Sequence, residues 1–218
     1  HAGASIAELN QLRRRLSRIK GGGLERRLAP ARCITLAISD VQGDDPEVIG
    51  SGPTMSSAAS LANYVVIATL DDALRAARAY AAADGIEIMD LGRTLYGSVE
   101  SEAVRIVAEI HRCRAARRFG DRPTLLLAGG EPVITVQGDG VGGRAQHLAL
   151  AIGAQLDGLE GVTVLAGGTD GIDGPTSAAG AFTDGATAPR LRARRLNAAD
   201  VLSRCDSHSA LAAIGDLW

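Results

Sequence analysis

The chain has 218 residues, enough for one large or two small domains, and at 46% hydrophobic composition it can bury a core. A formal net charge of −2 gives no global attraction to nucleic acid or membrane surfaces, and no apolar run reaches the length of a membrane span. Cys33, Cys113 and Cys205 are odd in number and far apart, which argues against a disulfide framework and for a reducing, cytoplasmic setting.

In chain order, Ser5 and Glu8 form a capping-box pattern, and Leu9, Leu12, Leu16 and Ile19 follow at helical spacing until Gly21-Gly22-Gly23 ends the helix. Lys20, the only lysine, lies at that end, where an anion could approach. Cys33–Ile38 reads as a strand, and its loop places Asp40, Asp44 and Asp45 at the carboxyl end. Such carboxylates can hold Mg²⁺, although Asp45-Pro46 also reads as a helix N-cap with proline at N1. Residues 51–54 form a turn and 64–68 a short buried strand. Thr69 with Asp72 caps a helix to about Ala83, residues 86–91 form the next strand, and a helix runs from Ser98 to about Arg114. This alternation predicts a layered α/β fold with a mostly parallel sheet. The charged stretch 112–121 predicts the boundary between two sub-domains, 1–120 and 121–218.

Beyond it, 124–128 and 133–136 are expected as strands, joined as a hairpin or separate. Gly138-x-Gly140-x-x-Gly143 then precedes a helix at 145–156. The spacing resembles a dinucleotide fingerprint, but the acid that should end the following strand is displaced to Asp170. Three readings follow. The loop is a phosphate or carboxylate cradle of amides at a helix N-terminus, reinforced by Arg144; it is a nicotinamide-cofactor site; or it is a tight turn. A strand at 162–166 leads into Thr169-Asp170-Gly-Ile-Asp173-Gly-Pro-Thr176, a loop that runs on to Gly185. Loops at strand carboxyl ends are where ligands bind in α/β sheets, and aspartates there supply hard oxygens for Mg²⁺ or accept a proton; Asp-Gly pairs are equally ordinary turn chemistry. His147 falls where it could face the same ligand as Arg144, or pack in the core. Short helices near 187–195, 198–204 and 207–214 complete the chain.

Several segments together carry a resemblance. Asn10 with Arg13–Lys20-Gly-Gly, Ser39–Asp45, Ser51-Gly-Pro-Thr54, Gly129-Gly-Glu131, Gly142-Gly-Arg144-Ala-Gln146, Thr169–Thr176 and Asp206-Ser207 occur in the order found in class II glycerate 2-kinases, which carry the MOFRL C-terminal domain and are often labelled hydroxypyruvate reductases. The chain resembles an internal part of such a protein. Ala145, His147, Cys205 and His208 depart from the family's usual residues, and the family's glycine-flanked catalytic lysine has no counterpart here.

The resemblance implies ATP- and Mg²⁺-dependent phosphorylation of glycerate at its 2-hydroxyl. It implies Arg144, Asp170, Asp173 and Lys20 as catalytic residues and Gly138, Gly140, Gly142, Gly143 and Thr169 as cofactor-binding residues. Asp170 and Asp40 would hold the metal, glycerate is the small-molecule partner, and a homo-oligomer is left open. An NAD(P)-dependent hydroxypyruvate reductase and a non-catalytic folded fragment are the alternative expectations.

Overall fold

The computed structural model describes residues 6–41, 43–115 and 123–218. The expected Ser5 cap and the boundary near residue 120 lie outside the described residues. The chain forms two compact units, 1–85 and 86–218. Among the described residues, two of the three strand pairs are parallel and one is antiparallel, in the layered α/β class that the alternation of elements predicts.

In the first unit, α1 (Ile6–Leu16) is followed by a second helix, α2 (Gly23–Leu28). Helix α1 therefore stops at Leu16, ahead of the glycine triplet, and Gly23 begins the next helix, a correction to the expected stop at the triplet. Gly22, at φ 76°, makes the turn, and a Cβ there would lie 2.3 Å from Ser56 Cα, so only glycine fits. The parallel pair β1 (Thr35–Ser39) and β2 (Tyr64–Thr69) leads into α3 (Leu70–Ala83). The start of α3 follows from sequence: Thr69 Oγ1 accepts from the Asp72 amide while the Asp72 carboxylate accepts from the Thr69 amide. Thr69→Ala is expected to cost about 1 kcal/mol, read from the urea midpoint. One face of the pair is apolar and open: Leu36, Ile38, Val65 and Ile67 are 49–71% exposed. Leu9, Leu12, Leu16 and Ile19, spaced as a buried helical stripe, are exposed as well.

The second unit opens with β3 (Glu87–Leu95), α4 (Val99–Ala115) and β4 (Thr124–Gly130), the strands parallel. Residues 133–136 do not form the expected strand; Val133 makes a single bridge to Ser98. There follow α5 (Arg144–Gln155), β5 (Thr163–Gly167), β6 (Gly180–Asp184), α6 (Thr187–Ala193), α7 (Ala198–Ser203) and α8 (Ser207–Ile214). Strand β6 lies within the stretch expected as part of the acidic loop; it pairs antiparallel with β5.

Helix α5 organises this unit. Every residue from Gln146 to Gly153 is buried, as expected of a helix packed on all sides. Leu148, Ala151 and Ile152 join Val99, Ile106 and Ile110 of α4 in one cluster, while Ala149 and Leu150 join Leu191, Val201 and Leu211 in a second. Among the described residues no helix is long and apolar enough to cross a membrane. All three cysteines are free.

Candidate functional site

The loop between β5 and β6 folds back onto the N-terminus of α5. An isolated helix leaves its first amides without acceptors, and an anion is favoured there. Asp173, which is 6% exposed, supplies it: its carboxylate accepts from the Ala145 amide at 3.1 Å and the Gln146 amide at 2.7 Å. The 138–144 and 167–176 segments therefore meet at the start of α5. The contact is made by an internal carboxylate on the first α5 amides, immediately after the glycine-loop amides that the sequence offers to phosphate.

Gln146, fully buried, extends the link. Its Nε2 donates to the Asp173 carbonyl at 3.2 Å and to Thr176 Oγ1 at 2.8 Å, and its Oε1 lies 2.9 Å from His208 Nδ1. Gln146 and Thr176 are not among the site residues expected from the sequence, whereas His208, like His147, reads there as a candidate acid–base group or a helix-cap neighbour. For Gln146, a lone amide side chain opening an otherwise apolar helix was the available signal.

The glycine loop is shaped by protein neighbours. The Gly140 amide donates to the Arg204 carbonyl and the Val141 amide to Asp206 Oδ1. A Cβ on Gly140 would lie 2.3 Å from the Arg204 carbonyl oxygen, on Gly142 2.2 Å from Ser207 Oγ, and on Gly143 2.2 Å from the Asp173 carboxyl carbon. These three glycines are thus needed for backbone approach to 204–208 and to Asp173, and Gly138 takes φ 85°.

Arg144 is the first residue of α5 and is half-exposed; its guanidinium meets Glu131 at 2.6 Å. That contact joins the Gly129-Gly-Glu131 segment after β4 to the helix start. Asp170 and Thr169 are exposed at the end of β5, with Asp170 Oδ1 at 3.5 Å from the Ile172 amide. In the first unit, Lys20 Nζ donates to the Gly50 carbonyl at 3.2 Å and lies 3.5 Å from Ser51 Oγ, which in turn reaches Asn10 Oδ1 at 3.4 Å. Gly50, Ser51 and Gly52 all take positive φ there. Two separate sequence motifs, Asn10–Lys20-Gly-Gly and Ser51-Gly-Pro-Thr54, thereby meet around Lys20. Asp40 is exposed just beyond the last residue of β1. Among the described residues no group of three or more His, Cys, Asp and Glu side chains is arranged to hold a metal ion.

His147 turns away from this cluster. Successive helix positions differ by about 100°, and its side chain, 3% exposed, points toward Glu100 of α4. Burial lowers its pKa below the ordinary histidine value, with Glu100 opposing. The neutral ring is therefore the folded form, so stability is full above about pH 6.5 and falls as pH drops below that value toward the lowered folded-state pKa. His147→Gln is expected to flatten this part of the stability–pH curve; an unchanged slope in urea titrations would assign the effect to other groups.

A layered α/β protein with an aspartate-capped central helix and an Arg–Glu pair at its start is the class defined by these features. The chain belongs to the MOFRL/glycerate-kinase family: residues 124–218 match the MOFRL family, and residues 1–82 match a domain of unknown function, DUF4147. It is 35% identical over 260 residues to a D-glycerate 2-kinase of Thermotoga maritima, covering 99% of this chain and 60% of the relative. A crystal structure of glycerate kinase from that organism has a TM-score of 0.81 at 32% identity, covering 99% of this chain and 60% of that one. A glycerate kinase of Macaca fascicularis is 33% identical over 286 residues, with 95% of this chain and 72% of the relative covered. An Agrobacterium vitis relative named for hydroxypyruvate reductase is 35% identical over 254 residues, covering 99% of this chain and 66% of its own length. The chain thus spans about 60% of the Thermotoga kinase.

Proposed function

We propose that the chain is part of a glycerate 2-kinase that transfers phosphate from ATP to the 2-hydroxyl of glycerate with Mg²⁺. In this reading 1–120 completes an N-terminal domain and 121–218 is the MOFRL-type domain. The observation that carries the proposal is the packing of the β5–β6 loop against the start of α5, which sets Arg144 and the exposed Asp170 on loops that meet. The names of the Thermotoga and macaque relatives support the reaction.

The donor chemistry fits the cofactors at some positions and not at others. Mg²⁺ bound with phosphates needs only one or two protein carboxylates, and Asp170 is an exposed hard-oxygen donor. The α5 amides at 145 and 146 do not fit a phosphate, because Asp173 already occupies them. When bound, ATP and Mg²⁺ supply the phosphoryl group and its charge neutralisation.

The chain's own residues bind and orient. Arg144 has donors beyond the one given to Glu131 and binds a phosphate or the glycerate carboxylate. Asp170 holds the metal or accepts the hydroxyl proton. Asp173 contributes by holding the Ala145 and Gln146 amides at the head of α5. Gly138, Gly140, Gly142 and Gly143 set the course of the nucleotide-side loop, with Thr169 offering its hydroxyl. Lys20 is proposed as a second cation and Asp40 as a metal carboxylate.

The test is a pair of assays on a full-length family protein carrying this sequence: ADP release with ATP, Mg²⁺ and D-glycerate, and NADH oxidation with hydroxypyruvate. ADP release without NADH oxidation is expected, and the reverse would establish the reductase. The 218-residue chain by itself is expected to release no ADP above background, because its cation set lacks the family's lysine; ordinary turnover by the purified chain would place the whole reaction within these residues.

A further inference from the structure

The second unit holds a cavity of about 400 Å³, within the range of small-molecule sites, with an apolar wall of Ala151 and Leu202 and a polar lining of Glu100 of α4, Thr135 and Gln137, His147 of α5, Ser203 at the end of α7 and Cys205 just after it. It is separate from the Asp173–Gln146–His208 cluster, and nothing in the proposed kinase chemistry uses it. Its lining has hydroxyls, an amide, an imidazole, a thiol and a single carboxylate, but no cationic side chain. An anionic ligand finds no counter-charge there.

The imidazole determines what fits. His147 Nδ1 is sealed from solvent and has no hydrogen-bond partner. Buried N–H groups without acceptors are rarer than acceptors without donors, which places the proton of the neutral ring on Nε2. Nε2–H faces Glu100 Oε1 at 3.8 Å, too far for a direct hydrogen bond. A group that bridges the two must accept from Nε2–H and donate to the carboxylate. A hydroxyl does both. An ammonium group can only donate, and a carboxylate can only accept.

We propose that this cavity is a binding site for a small neutral polyhydroxy compound, one hydroxyl of which bridges His147 Nε2 and the Glu100 carboxylate. Gln137, Thr135 and Ser203 offer the remaining polar contacts. Cys205 forms an inert wall: it is buried, and its sulfur accepts from the Gln137 amide at 3.4 Å.

The test uses the full 218-residue chain with ¹⁵N-labelled histidine. Erythritol is the probe, with acetate and methylammonium as charged controls, and imidazole nitrogens are followed by two-bond ¹H–¹⁵N spectra. Erythritol is expected to shift the His147 Nε2 resonance saturably, with little effect on His111 and His208, and neither control should do so. Glu100 is 65% exposed, so Glu100→Ala leaves the fold intact. This variant is expected to weaken the response about tenfold, the loss of one hydrogen bond to a charged group. Glu100→Gln, which keeps an acceptor, should weaken it less. A silent His147 signal means the space holds only water and overturns the proposal. An erythritol affinity unchanged in Glu100→Ala, or a stronger response to either control, overturns it as well. None of these readouts depends on kinase activity, so the two proposals fail separately.

Discussion

Asp173→Ala is expected to lower the unfolding free energy by about 2–3 kcal/mol, the cost of removing a charged cap from two helix amides, one buried and one part-buried. Replacing the carboxylate with a methyl group strands both amides at the head of α5. It also releases the loop whose backbone carbonyl Gln146 holds. Because α5 packs into both hydrophobic clusters, fraying at its first turn reaches the core of the unit. Asp173→Asn keeps one acceptor oxygen and should lose roughly half as much. Urea unfolding followed by circular dichroism separates the three proteins. If Asp173→Ala unfolds at the wild-type midpoint, the carboxylate is not a structural cap and a direct chemical role becomes the better assignment.

Arg144→Ala should show the opposite balance. The guanidinium and its Glu131 partner are both about half exposed, so the pair contributes at most about 1 kcal/mol to stability. If Arg144 binds transferring or carboxylate charge, its loss should lower kcat/KM by roughly 10²-fold in the full-length protein. Arg144→Lys should recover little, since an ammonium cannot hold Glu131 and a ligand in one planar fork. Wild-type kinetics for Arg144→Ala would remove the residue from the mechanism.

Much of this architecture is legible where one local rule decides the outcome. Thr69 and Asp72 fix the start of α3, and the spacing of Val99, Ala103, Ile106, Val107 and Ile110 draws the buried face of α4. What escapes the sequence depends on distant partners. Strand β6, Gly180-Ala-Phe-Thr-Asp184, has little strand propensity and sits among turn residues; it extends because β5 and the chain terminus pair with it. Residues 133–136 are all β-branched, a composition that favours strands, yet Val133 and Val136 stay exposed and make no strand pairing beyond a single bridge.

The site divides in the same way. The motifs identify the loops, but only the 168–179 loop leaves the end of a strand; the 138–143 loop reaches the start of α5 without one. The distinction between Asp170 and Asp173 is not in the motifs. Both occupy Asp-Gly turns three residues apart, and only the folded backbone sends one carboxylate into the helix terminus and leaves the other in water. The glycine spacing misleads for a related reason: a close approach to protein backbone requires the same residue as a close approach to phosphate.

The open face formed by Leu36, Ile38, Val65 and Ile67 bears on how the purified chain behaves in bulk. A two-stranded sheet with an apolar surface and unpaired edges is a template for self-stacking. With a net charge of only −2, little long-range repulsion keeps molecules apart, and salt screens what there is. Solutions of this chain should therefore turn cloudy with rising concentration, and sooner at high ionic strength, through a colloidal instability that begins in the folded state without any unfolding.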